Sequence, residues 1–188
     1  MALRLYQINV NHSRASQDLM MHCVLENGIG ICCLAEPWRV PTDNAHWVSS
    51  LDSVAAIVWN PALTGPGCVV FHRSNNIVGV RFGNVRVISV YISPNINVAS
   101  FLEITDRLSD AVAAARDPVI LCGDFNAKST YWGSSIDNRR GEIFLGLADQ
   151  HDLVLCNRGN RPTCVRPQGS SIIDLTWASA QYAGRVRN

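Results

Sequence analysis

Neither sign of charge dominates this sequence: 16 basic side chains stand against 15 acidic ones, a net of +1. A global positive field that would draw in nucleic acid is thereby excluded, and any such partner has to be argued from a local site. No apolar run approaches the roughly 18 residues of a membrane helix. The N-terminal stretch 1–11 carries alternating polar residues where a signal peptide would be continuously apolar. An intracellular protein with no membrane partner is expected, not a secreted one, so the glycosylation pattern Asn11-His12-Ser13 has little weight. The seven cysteines are odd in number and contain no Cys-x-x-Cys pair. Buried thiols in a reducing compartment are therefore a better reading than disulfides or zinc. Cys32, Cys33, Cys122 and Cys156 lie in apolar runs that read as buried strands. Repeats, low-complexity tracts and obvious linkers are missing too. What is present is an ordinary globular balance, 47% hydrophobic and 16% charged over 188 residues, a length suited to one domain with one core.

Strand-like and helix-like segments are interleaved irregularly. Leu3 to Val10 alternates as a strand does. Ser13 or Ser16 can cap a helix running to about Asn27, with Leu19, Met20, Cys23 and Val24 on one face and Gly28 as its stop. Ile31 to Ala35 reads as a buried strand ending at Glu36. Four short strands follow: Val54–Trp59, Gly67–Phe71, Ile77–Phe82 and Val85–Tyr91. Between them lie the turns Asn60-Pro61, Gly65-Pro66-Gly67, Asn75-Asn76 and Gly83-Asn84, the last suited to a two-residue hairpin. Val98 to Ala115 predicts a helix with an apolar stripe of Phe101, Ile104, Leu108, Ala111 and Val112. Pro118–Cys122, Leu153–Cys156 and Ile172–Trp177 predict strands, and Gly141–Gln150 a helix burying Ile143, Phe144 and Leu147. About nine strands exceed one flat sheet, so two packed sheets with helices outside are expected.

A polar residue recurs where these strands end: Asn9, Glu36, Tyr91, Asp124 with Asn126, and Asp174 within the last strand. Strand ends in layered α/β folds face a common rim, where sites are built. Each residue alone also reads as a turn or core position. Asp174 is the exception, because a carboxylate between Ile173 and Leu175 needs a bonded partner if buried. Together they have a chemical logic. Glu36 is a hard oxygen ligand for Mg²⁺, and Asn9 adds a neutral amide oxygen. Asp124 can orient or deprotonate water. Tyr91 and Asn126 can donate to a phosphoryl oxygen as charge develops. This is a kit for hydrolytic phosphoryl transfer.

Gln7-Ile8-Asn9-Val10-Asn11, Leu34-Ala35-Glu36-Pro37, Val90-Tyr91-Ile92-Ser93-Pro94, Gly123-Asp124-Phe125-Asn126-Ala127 and Ser171-Ile172-Ile173-Asp174-Leu175-Thr176 occur in that order. They resemble the ordered motifs of the endonuclease/exonuclease/phosphatase superfamily. Trp132-Gly133-Ser134 and Asp174-Leu175-Thr176-Trp177 are similar to the apurinic-endonuclease-like domain of non-LTR retrotransposons, with Glu-Pro-Trp and Tyr-Ile-Ser-Pro forms like its arthropod branch. The resemblance implies an α/β (α+β) four-layer sandwich, two packed mixed sheets flanked by helices, DNase I-like. It implies a divalent metal, Mg²⁺ or Mn²⁺, held at Asn9 and Glu36. It gives catalytic roles to Tyr91, Asp124 and Asn126, and to Asp174 as holder of a histidine. The implied partners are double-stranded DNA, nicked in the nucleus, and a reverse transcriptase in the same polyprotein; a monomer is expected. Lys128, Trp132 and Arg139 are candidate DNA contacts, although Trp132 can equally pack its own loop. Lys128, Arg139, Arg140, Arg158, Arg161 and Arg166 flank the later motifs as phosphate contacts or, equally, plain solvated charges. One departure stands out. The family's Ser-Asp-His motif does not follow Asp174, and no histidine follows His151, so a missing catalytic segment and final strand, weak activity and low solubility are expected. A phosphatase or phosphodiesterase on the same fold, or a remnant that only binds DNA, are the competing readings.

Overall fold

The first strand, Leu5–Asn9 (β1), lies parallel to Ile31–Ala35 (β2), with Asn9 beside Ala35. A parallel pair needs a crossover, and helix Arg14–Glu26 (α1) supplies it. Ser13 caps this helix by accepting from the Ser16 N–H at 3.2 Å. Gly28, at φ +58°, turns the chain out of it. Trp47–Ser49 (β3) and Ala55–Trp59 (β4) add antiparallel strands, giving the order β1-β2-β4-β3, a mixed sheet. All five residues of β2 are buried. One face packs Cys32 and Leu34 with Val10, Met20, Val24, Ala56 and Val58 beneath α1. Asn60 and Pro61 then open a single turn, Pro61–Thr64 (α2). Cys68–Ser74 (β5), Ile77–Phe82 (β6) and Val85–Tyr91 (β7) form an antiparallel meander, with Phe82 opposite Val85 across the two-residue Gly83-Asn84 turn. These strands belong to one compact unit, residues 1–91, in which β6 and β7 pack against β4.

Residues 92–188 make the second unit. Helix Val98–Ala113 (α3) starts on Asn97, whose side chain accepts from Ser100 N–H at 2.9 Å. It buries the predicted stripe of Phe101, Ile104, Leu108, Ala111 and Val112. Val119–Asp124 (β8) pairs with a later strand, and helix Arg139–Gln150 (α4) and Leu153–Leu155 (β9) follow it in the chain. A small hairpin, Cys164–Arg166 (β10) with Gly169–Ser171 (β11), precedes Asp174–Ser179 (β12), which lies antiparallel between β8 and β9. A last turn, Ala180–Ala183 (α5), ends the elements. Phe144 on α4 buries its ring 4.3 Å from Phe125 and 5.6 Å from Trp177, centroid to centroid.

The computed structural model describes residues 3–65, 67–114, 117–167 and 169–186. Pro66 of one expected turn and Ala115 at one expected helix end lie outside them. The seven cysteines remain thiols, and among the described residues no helix is long and apolar enough to cross a membrane. Three strands were not expected from the sequence: β3, β10 and β11. Each is three residues long, too short for a period-2 signal. Several expected core positions differ as well, among them Cys23 and Cys156, which are only half-buried. Leu19 is 65% exposed, while Gln17 takes a buried place on α1, donating to Arg39 O and accepting from Trp38 N–H, both at 2.8 Å. Ile143 is only half-buried. Leu19→Ala should therefore change unfolding free energy by no more than about 0.5 kcal/mol, which urea titration would register; a loss above 2 kcal/mol would put Leu19 in the core.

Candidate active site

Where β2 ends, Glu36 turns the backbone into the left-handed region, φ +49°. That conformation is costly for a glutamate and persists only where the surroundings enforce it. Here its N–H donates to Val54 O and its carbonyl accepts from His12 N–H, both at 2.8 Å. The carboxylate, 17% exposed, is held at both oxygens. The Asn9 amide donates to Oε2 at 2.9 Å, and the Tyr91 hydroxyl donates to Oε1 at 2.6 Å. The parallel register of β1 and β2 brings Asn9 there, and the end of β7 brings Tyr91. Thus Asn9, Glu36 and Tyr91, far apart in sequence, meet at one point. Their donors face the carboxylate rather than outward. The Asn9 amide oxygen accepts from Asn11 N–H at 2.8 Å, while its amide nitrogen orients Glu36.

His12, which lies outside the ordered motifs of the sequence, also belongs to this cluster. Its Nδ1 lies 3.1 Å from Pro37 O and its Nε2 3.7 Å from Glu36 Oε1. Among the described residues no group of three or more His, Cys, Asp or Glu gathers as a metal cage. One oriented carboxylate fits a hard divalent ion that keeps most of its water.

In the second unit, Asp124 ends β8 and is 4% exposed. Asn126, again left-handed at φ +46°, folds back on it. Its N–H and its side-chain amide both donate to Asp124 Oδ1, at 3.2 and 2.8 Å, and the amide donates further to Ile92 O at 3.1 Å. Both amide hydrogens are thereby directed inward. Expected from the sequence to donate to a phosphoryl oxygen, Asn126 here donates its amide hydrogens to Asp124 and Ile92 and orients Asp124. Asp174 opens β12 directly opposite Asp124 in the antiparallel register. It is half-buried, its N–H donating to Thr163 Oγ1 and its carbonyl accepting from Asn157, at 3.1 and 3.0 Å.

The flanking cations divide sharply. Arg140 is buried. Its guanidinium donates to the carbonyls of Ser93 (3.0 Å), Pro94 (3.1 Å), Asn126 (3.4 Å) and Ile96 and lies 5.2 Å from the Phe101 ring centroid. Burial pushes its pKa below the usual arginine value, yet an arginine stays charged. It is therefore a clamp on the backbone around Asn126, not a phosphate contact. Arg139 is exposed and pairs with Glu142 at 2.8 Å. Lys128 lines a groove of about 470 Å³ with Asn126, Arg166 and Ser170. Lys128 and Asn138 are bound reciprocally: each N–H donates to the other residue, at 3.0 Å, and Asn138 Oδ1 also caps α4. Hydrogen bonds from Ser129 and Thr130 hold the Asp137 carboxyl below the ordinary carboxylate range and fasten the same loop. Trp132 does not reach solvent. It is 3% exposed, edge-on to Trp177, so the expected DNA contact fails on burial; the exposed aromatic is Tyr131, stacked on Trp177.

A family model described as endonuclease-reverse transcriptase matches residues 85–188. No curated protein matches the chain significantly. Among solved structures, the endonuclease domain of TRAS1, a telomere-specific non-LTR retrotransposon, is 26% identical over 97% of this chain and 87% of its own, with a TM-score of 0.74. An AP endonuclease from Archaeoglobus fulgidus is 15% identical, covering 97% and 88%, TM-score 0.73. The 3′ phosphatase NExo from Neisseria, solved with a product DNA hairpin, is 16% identical, covering 97% and 89%, TM-score 0.70. Two mixed sheets flanked by helices, DNase I-like, are the fold these structures share with this chain, as the sequence predicts.

Proposed function

Because the chain belongs to the endonuclease-reverse transcriptase family of the endonuclease/exonuclease/phosphatase superfamily, we propose that it is a divalent-metal-dependent endonuclease that hydrolyses DNA phosphodiester bonds. The observation that carries this reading is the Glu36 carboxylate, held at both oxygens by Asn9 and Tyr91 at the end of a buried strand. Glu36 would hold Mg²⁺ or Mn²⁺, which when bound stabilises charge developing on the phosphoryl oxygens. The rest falls to the chain's own groups. Glu36 is presented in one rotamer, because releasing it would break two hydrogen bonds. Asp124 accepts the proton of an attacking water as its oxygen bonds to phosphorus and the leaving oxygen departs. Asn126 fixes which Asp124 oxygen is engaged, and Arg140 fixes Asn126. Lys128 and Arg166 in the groove of the second unit neutralise backbone phosphates.

In this proposal the chain nicks double-stranded target DNA in the nucleus, working with a reverse transcriptase carried in the same polyprotein. The fold also hosts phosphatases, and substrate class separates the two activities. Supercoiled plasmid should be converted to open circles with Mg²⁺ or Mn²⁺ and not with chelator. Asn9→Ala should raise the metal concentration needed for half-maximal nicking roughly 10–100-fold, since it removes the orienting partner of a metal-bearing carboxylate. Hydrolysis of inositol phosphates or phosphomonoesters in preference to plasmid would overturn the endonuclease assignment.

A further inference from the structure

The turn between β1 and α1 has an anomaly. Val10 O accepts from Ser13 N–H at 2.9 Å, and both residues between, Asn11 and His12, are left-handed at φ +48° and +53°. Such a turn favours asparagine then glycine; histidine takes the glycine place at a conformational cost. Strain of this kind, next to the equally left-handed Glu36, persists only where the surroundings hold it. The imidazole is held in a definite way. The Pro37 carbonyl can only accept, so Nδ1 carries the hydrogen of that 3.1 Å bond, and the neutral ring presents a lone pair at Nε2. Nε2 lies 3.7 Å from Glu36 Oε1, beyond hydrogen-bond length. With the ring neutral, the Nε2 lone pair and this carboxylate oxygen lie only slightly farther apart than two ligands of one cation; with the ring protonated, the same pair is an ion pair. Ligands with bonds of about 2.1 Å sit roughly 3–3.5 Å apart, within reach of a small ring rotation. Donation of the other ring nitrogen to a backbone carbonyl is the usual support of a metal-binding histidine. The side chain is 60% exposed, open to an ion arriving from solvent.

We propose that His12 Nε2 and Glu36 Oε1 together ligate the divalent cation, and that the imidazole makes this site prefer a transition ion such as Co²⁺ over Mg²⁺. The inference rests on the reading of Glu36 as the metal-bearing carboxylate. Imidazole suits later first-row ions, whereas Mg²⁺ takes oxygen.

The test uses Co²⁺ and Mg²⁺ as probes, with binding followed by calorimetry and Co²⁺ also by visible absorption and proton NMR. The unsubstituted protein should bind Co²⁺ more tightly than Mg²⁺. It should also show one exchangeable, hyperfine-shifted imidazole resonance, the Nδ1–H held by Pro37. His12→Asn, which tolerates the left-handed turn, should weaken Co²⁺ on the order of tenfold or more, change Mg²⁺ by less than about twofold, and abolish the shifted resonance. Glu36→Gln should weaken both ions. Unchanged Co²⁺ affinity in His12→Asn, or no shifted imidazole proton in the parent, overturns the role of His12 and leaves Glu36 standing. Co²⁺ and Mg²⁺ binding indifferent to Glu36→Gln overturns the reading of Glu36 itself.

Discussion

Asp124→Asn should lower plasmid nicking by about 10²–10⁴-fold, the range of a positioned general base, with little change in the melting curve. The substitution keeps size and shape and removes only the charge and the basicity. The residue is 4% exposed at the end of β8, so a larger change would risk the fold. Its Oδ1 accepts two bonds from Asn126, at 2.8 and 3.2 Å, and an asparagine side-chain oxygen can still accept them. Its Cα also faces that of Asp174 across the strand pair, where like charges disfavour folding, so losing one charge offsets part of any packing cost. Activity and stability therefore separate in this variant. Supercoil relaxation under single-turnover conditions gives the first, and thermal unfolding the second. Nicking within threefold of the parent would remove Asp124 from the chemistry.

Much of this was legible because apolar runs and their endings are strong signals. Ile31–Ala35 is uniformly apolar, is buried throughout, and stops where the sequence turns to Glu36. Phe101, Ile104, Leu108, Ala111 and Val112 repeat at helical spacing, and that face is the buried one. What escaped depends on backbone handedness and on charges that break the usual rule of exposure. Nothing in the string Gly123-Asp124-Phe125-Asn126 says that Asn126 is left-handed, yet that conformation turns its amide onto Asp124. Arg139 and Arg140 are the same letter twice. Helical rotation sends one to solvent and the other into a nest of carbonyls around Asn126. Tyr131 and Trp132 share one 3₁₀ turn, and a shift of one residue decides which is buried. His12 fits no ordered motif; its nearness to Glu36 is created by the left-handed turn at Asn11 and by the β1–β2 register, neither of which shows in the order of residues.

Gly141→Ala should destabilise the protein by about 1–3 kcal/mol or more, the cost of forcing atoms into a filled space, and lower its melting temperature by several degrees. The sign is the opposite of the helix rule, under which replacing an interior glycine with alanine gains about 1 kcal/mol. The reason lies in how closely α4 approaches the preceding loop. A Cβ on Gly141 would sit 2.0 Å from the Lys128 carbonyl oxygen and 2.8 Å from its carbon. That is backbone, which cannot swing aside as a side chain does. The loop is fixed there by the reciprocal Lys128–Asn138 bonds and by the Asn138 cap on the Gly141 N–H at 2.9 Å. Gly146, on the same helix with nothing within 4 Å of its added Cβ, is the internal control: Gly146→Ala should raise stability by up to about 1 kcal/mol. A parallel gain at both glycines would refute the close approach. The functional consequence follows from the neighbours. Relieving the clash moves Lys128 away from the start of α4, and that disturbs the Arg140 clamp on Asn126 O. Loss of that clamp loosens the residue that orients Asp124, so Gly141→Ala should also lose nicking activity at temperatures well below its own melting point, where Gly146→Ala keeps it.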